Sequence, residues 1–187
     1  MSFDRDRFVE DCVVAGRERD AQAAVREVLS RAVSEPAGVL ARLGAGGKAG
    51  IDVMHRSPHL TIFAAYWAPQ MSLPAHDHRM WALIGVFAGR EDNIHWHRTV
   101  GRLQAHGAAV LFPGDVAALP ADAIHSVTNP LTRFTSGIHI YGGDFFATPR
   151  SQWDPESLVE APSDGAAIRA MFERENQRLA CQLSLAR

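Results

Sequence analysis

Pro74-Ala75-His76-Asp77-His78, answered well downstream by Pro113-Gly114-Asp115 and then by His125-Ser126-Val127-Thr128-Asn129, is the stretch from which the fold is read. In an extended strand, side chains alternate between faces, so His76 and His78 point one way and Asp77 the other. Each of the two histidines then has a ring nitrogen for the same ion. A third histidine from a distant strand completes a three-nitrogen site, and His125 sits where the chain can fold back to supply it. The pattern predicts a metal-binding group of His76, His78 and His125 in a small β-barrel.

Working outward, the chain beyond Gly50 consists of short β-prone runs: 60–67, 81–87, 94–96, 108–112, 125–128 and 134–141. Pro69, Pro74, Gly89, Pro113-Gly114 and Pro130 separate them, the rhythm of an antiparallel sandwich or barrel. Before Gly50 the grammar is helical. Phe8, Val9, Cys12 and Val13 recur at helical spacing, and so do Val25, Val28, Leu29 and Ala32, with a short third helix predicted up to Leu43. The run Gly44-Ala45-Gly46-Gly47 reads as a loop, without the lysine and hydroxyl that end a phosphate-binding loop. After Tyr141 an irregular segment through Trp153-Asp154-Pro155 leads to a helix that Ser163-Asp164 would cap, with Ile168, Met171, Phe172 and Leu179 on its apolar stripe. The expected organisation is one domain: a helical segment over 1–49, a mainly β antiparallel sandwich or barrel over 50–146, and an extension with a helix over 147–187.

At 187 residues the chain suits a single buried core. A near balance of 19 basic and 21 acidic residues leaves no electrostatic footprint for nucleic acid or an anionic membrane, so a small-molecule partner is expected. Cys12 and Cys181 are the only cysteines, far apart and in no CxxC arrangement, which argues against a disulfide framework or a cysteine zinc site. No apolar run approaches the ~20 residues of a membrane span, and the opening residues do not resemble a leader. The expectation is a cytoplasmic protein, with the free edges of antiparallel sheets favouring a homodimer.

Nine histidines require discrimination. His95-x-His97 obeys the same-face rule as well as His76-x-His78 does. The latter pair follows Pro74 and is read as opening an apolar strand, its rings inward at a barrel mouth. The former lies between Glu91-Asp92-Asn93 and Arg98, read as a solvated strand end. His139 and Tyr141 share one strand face by the same alternation.

The run Pro-x-His-x-His, Pro-Gly-Asp, His-x-x-x-Asn resembles the paired signature motifs of the cupin superfamily, which implies that the mainly β barrel over 50–146 is a double-stranded β-helix. No glutamate follows His78 within the first motif, where many cupins have a carboxylate ligand. This is similar to thiol dioxygenases of the cysteine dioxygenase family, whose iron is held by three histidines alone. Gly137-Ile138-His139-Ile140-Tyr141 resembles that family's Ser-x-His-x-Tyr, with Gly137 in the serine's place. Arg150, nine residues beyond Tyr141, matches an arginine of bacterial members that oxidise mercapto acids. The resemblance implies Fe(II), with Zn, Ni or Mn as alternatives, on His76, His78 and His125, and oxidation of a small thiol by O2 to a sulfinic acid. It further implies catalytic roles for Tyr141 and His139 and substrate contacts from Arg150 and Arg79. The competing readings are a zinc cupin with hydrolase or lyase chemistry and a non-catalytic ligand-binding cupin.

Overall fold

The computed structural model describes residues 3–100 and 102–185. Three helices come first: α1 (Arg5–Ala15), α2 (Ala21–Val33) and α3 (Pro36–Leu43). Asp4 and Asp20 cap α1 and α2 by accepting backbone N–H groups of the first turn. Pro36 opens α3, and Gly44, at φ 82°, closes it in the left-handed region that glycine tolerates.

Strands follow as β1 (Gly50–Arg56), β2 (Thr61–Trp67), β3 (Ser72–Asp77), β4 (Ala82–Ala88), β5 (Glu91–Thr99), β6 (Arg102–Leu111), β7 (Val116–Leu119), β8 (Ile124–Thr128) and β9 (Thr135–Tyr141). Two short strands, β10 (Ser151–Trp153) and β11 (Glu160–Pro162), precede the last helix, α4 (Gly165–Leu185). The strands form two antiparallel sheets, ordered β1-β2-β9-β4-β7 and β11-β10-β3-β8-β5-β6. From β2 to β5 each successive strand changes sheet, and β6 to β9 repeat the crossing. The fold is a double-stranded β-helix, mainly sheet, with helices at both ends.

Alternation with both faces covered explains why β2, β4 and β9 are buried almost throughout. Ile62, Leu83, Phe87, Ile138 and Ile140 point outward and pack beneath Phe8, Cys12, Val25, Leu29 and Val33 of the helices. Their neighbours Phe63, Ala65, Trp67, Ala82, Ile84, Val86 and Tyr141 point inward and fill the barrel. Both faces of the three central strands of the five-stranded sheet are therefore buried. Helix α2 lies so close that a Cβ at Gly85 would stand 2.9 Å from the Leu29 side chain. Across the barrel mouth, α4 lays Phe172 on Trp67, ring centroids 5.6 Å apart, and Asn176 bonds both backbone groups of Ala49. Among the described residues, no helix is long and apolar enough to cross a membrane.

Four strands differ from the sequence expectation. Residues 50–56 form a strand although Ile51 and Val53 are exposed and a bulge interrupts the register, so no clean alternation marks it. Residues 116–119 are a strand as well. The segment read as irregular supplies β10 and β11, which extend the six-stranded sheet through the pairing of Gln152 with His76.

Candidate metal centre

His76 and His125 are register partners on β3 and β8, which sets their side chains together on the inner face of the sheet. His78 comes just after β3 ends, so the pair closes a strand where it had been expected to open one. The turn that follows is made by Arg79, with φ 58°, before β4 begins. The three rings lie with centroids 4.6 to 5.0 Å apart. One nitrogen from each falls within 4.8 Å of the others, a group that could hold a metal ion.

The hydrogen bonds behind the rings decide which nitrogens face inward. His76 Nδ1 donates to the Pro74 carbonyl at 2.9 Å, and His125 Nδ1 donates to Asn93 Oδ1 at 2.6 Å. Each bond fixes the proton on Nδ1 and leaves the Nε2 lone pair free for a cation. His125 Nε2 is 3.3 Å from His78 Nε2. Two nitrogens held at ~2.1 Å from one ion are about 3.0 Å apart at a right angle and about 3.4 Å apart at the tetrahedral angle, so the spacing suits a first-row divalent ion. His78 Nδ1 is buried without a hydrogen-bond partner.

Burial also prepares the donors. It holds the His76 ring down to about 4 against the opposing pull of the Pro74 carbonyl, and it holds His78 and His125 well below 6.5, each helped by His76. Three neutral imidazoles at ordinary pH have no proton to lose before binding a metal.

Beside the triad is an enclosed cavity of about 50 Å3, lined by His76, His125, His139, Tyr141, Arg150 and the aromatic side chains of Phe63, Trp67, Phe145 and Phe172. Tyr141 lies edge-on to His78 at 4.9 Å, and its hydroxyl is 3.4 Å from His139 Nδ1. Burial pushes the phenol above its ordinary pKa, so it remains a donor. The Arg150 guanidinium lies 3.7 Å above the Phe145 ring, its Nε is buried with no partner, and among the described residues no carboxylate pairs with it. Burial lowers its pKa from the usual guanidinium value. The structure thus brings His76, His78, His125, His139, Tyr141 and Arg150 together.

Arg79 is placed elsewhere. Its guanidinium pairs with Asp77 at 2.6 Å and bonds Ser151 Oγ at 3.2 Å, and Arg98 joins the same cluster through Glu160. Because β3 alternates, Asp77 faces away from the histidines and takes Arg79 with it. The substrate contact expected of Arg79 does not match this position, and the side chain ties β3 to β10 and β11.

The stretch read as a solvated strand end also differs. His95 and His97 line a separate groove of about 530 Å3 with His106, but Glu91 and Asn93 on the same strand are buried. Asn93 holds His125, and Glu91 accepts from Trp67 Nε1 at 2.8 Å and Asn93 Nδ2 at 3.1 Å. Burial alone would raise the Glu91 carboxyl, but His139, Asn93 and Trp67 bring it below the ordinary value. The period-two spacing Glu91-x-Asn93-x-His95 was the available signal, since residues on one face of β5 lie beside those of β8. Ser136 faces outward to the Ala45 carbonyl, so no serine lies beside His139 at that strand position.

No family model matches the chain. Among solved structures, it is similar to a protein of Bacillus halodurans, with 19% identity over 52% of this chain and 72% of the other and a TM-score of 0.46. An uncharacterised conserved protein with a double-stranded β-helix domain from Klebsiella pneumoniae subsp. pneumoniae aligns at 14% identity over 64% and 87%, TM-score 0.40. An RmlC-like cupin family protein from Methanocaldococcus jannaschii aligns at 8% identity over 54% and 85%, TM-score 0.46.

Proposed function

We propose that the protein is an Fe(II)-dependent thiol dioxygenase-like enzyme, oxidising a small thiol that carries a carboxylate to its sulfinic acid, RSH + O2 → RSO2H. The observation that carries this reading is three neutral imidazoles converging beside an unpaired, largely buried guanidinium in a cavity whose lining includes no carboxylate. A divalent cation there, with Arg150 nearby, makes the cavity strongly positive, and its natural occupant is an anion with both a soft and a hard end. His76, His78 and His125 would hold the iron, which supplies the one-electron chemistry that lets dioxygen attack a thiolate.

The remaining work belongs to the chain. Arg150 binds the substrate carboxylate in the fork geometry of a guanidinium, held flat by Phe145. Tyr141 stays protonated, turns its one hydroxyl proton toward His139 Nδ1 and presents the phenol oxygen to the cavity. Phe63, Trp67, Phe145 and Phe172 exclude bulk water, which strengthens both polar contacts. Gly137 leaves His139 without a serine, and the ring's Nε2 stands instead 3.5 Å from the Glu91 carboxylate.

The test is anaerobic loading with Fe(II), metal analysis, and oxygen uptake with cysteine, cysteamine and mercapto acids. Uptake with carboxylate-bearing thiols and sulfinate as product is the expected result. An iron-loaded protein that consumes no oxygen with any of these thiols refutes the reading.

A further inference from the structure

Glu91 is fully buried on β5, and it is neither among the three histidine ligands nor in the cavity wall. Its Oε2 accepts the indole N–H of Trp67 at 2.8 Å and lies 3.5 Å from His139 Nε2, while Oε1 accepts from Asn93 Nδ2 at 3.1 Å. Asn93 turns its own Oδ1 to His125 Nδ1 at 2.6 Å, and His139 turns Nδ1 to the Tyr141 hydroxyl at 3.4 Å. One hydrogen-bonded arm therefore leaves the carboxylate through Asn93, and a looser 3.5 Å contact reaches His139, whose Nε2 is buried with no hydrogen-bond partner. The arm ends on His125, and the contact leads on to the tyrosine in the cavity. Asn93 and His139 are each 3% exposed, so bulk water does not reach either connection.

Burying a carboxylate is costly unless donors surround it, and an apolar side chain of similar volume would serve packing better. What the ionised group adds is direction. It only accepts hydrogen bonds, so each neighbour must present an N–H. Asn93, giving its amide N–H to Glu91, has its oxygen left for His125, which keeps that ring's proton on Nδ1 and its lone pair on Nε2. The carboxylate 3.5 Å away favours a proton on His139 Nε2, which leaves Nδ1 to face the Tyr141 hydroxyl.

We propose that Glu91 is a positioning residue that sets the polarity of both connections, aiming His125 Nε2 at the metal and holding Tyr141 in the cavity. The inference rests on His76, His78 and His125 being metal ligands and is independent of the thiol chemistry. Its test is the affinity for Co(II) and Zn(II) alone, measured against a competing chelator without thiol or oxygen. Failure of the wild-type protein to bind either ion removes the metal centre, and this inference with it.

Given wild-type binding, Glu91→Gln should bind about 10–100-fold more weakly, the range for loss of a group that orients a ligand, because its amide sets N–H against N–H. Asn93→Leu should lose a similar factor, and the double variant no more than the worse single one. A folded Glu91→Gln protein with unchanged affinity, or losses that multiply in the double variant, overturns the proposal and leaves the metal centre standing. A second measurement needs no variant. Long-range 1H–15N spectra of the metal-free wild-type protein should show His125 as the Nδ1–H tautomer and His139 as the Nε2–H tautomer, and the reverse at either ring overturns the proposal.

Discussion

Acidifying the metal-free protein from about pH 7.5 to pH 5 should remove several kcal/mol of stability, in an amount set by the histidine triad. In the fold, burial holds His76 down to about 4 and keeps His78 and His125 well below 6.5. In the unfolded chain each ring titrates near ~6.5. Between those values the unfolded state binds more protons, so stability is undiminished above about pH 6.5 and falls as the pH drops toward the folded values. At pH 5 each ring still neutral in the fold loses about 2 kcal/mol, from ~1.5 pH units at about 1.36 kcal/mol each. His76 alone accounts for about 2 kcal/mol, and His78 and His125 add to it in the same direction, against the roughly 5–15 kcal/mol that holds an ordinary domain.

The window separates histidines from acids. Glu91, Asp144 and Asp154 are held below their ordinary values of 4.5, 3.8 and 3.8, so their stabilisation is lost only under more acid conditions. His95 is also lowered, by burial and by His106, and contributes in the same direction. Urea unfolding of the metal-free wild type, His95→Gln and His78→Gln proteins across this range measures each share. His78→Gln should fall by less than wild type between the two pH limits. A wild-type stability constant to within about 1 kcal/mol would mean that the rings titrate equally in both states, and the picture of three neutral buried donors would fail.

Replacing His76, His78 or His125 by alanine should strip most of the bound metal, read by elemental analysis after chelation and reloading, while His95→Ala retains it; the opposite pattern would reassign the ligands. Arg150→Lys should raise the KM for a carboxylate-bearing thiol about tenfold or more with metal content intact, and should barely affect cysteamine, since a point charge replaces the fork. Arg79→Ala should leave both KM values unchanged but destabilise the protein by about 1 kcal/mol, because nearly buried Asp77 loses its cation at 2.6 Å and keeps only the Ser151 N–H at 2.7 Å and Arg98 at 3.6 Å. A rise in KM with unchanged stability would return Arg79 to the substrate.

Local rules carried much of the reading. The barrel was legible because the inward and outward residues of β2 and β4 are both apolar, leaving uninterrupted runs between prolines and glycines. The first two helices were legible because Val25, Val28 and Leu29 repeat at helical spacing on a face that remains apolar in the fold. His76 and His78 were legible as a pair because alternation holds for any extended segment, whatever it packs against. What such rules could not convey is the surroundings of β5, where Glu91 and Asn93 look like solvated polar residues until Trp67 of β2, His125 of β8 and His139 of β9 close around them.

The sequence by itself determined a two-sided β-barrel with helices at its ends and two histidines aimed at one point. Only the tertiary structure decided that Arg150 enters the cavity while Arg79 leaves it, and that the charged start of β5 is core. Strand period depends on neighbours along the chain. The burial of a charge depends on donors that converge from distant segments, and a carboxylate or guanidinium is written the same way whether those donors arrive or not.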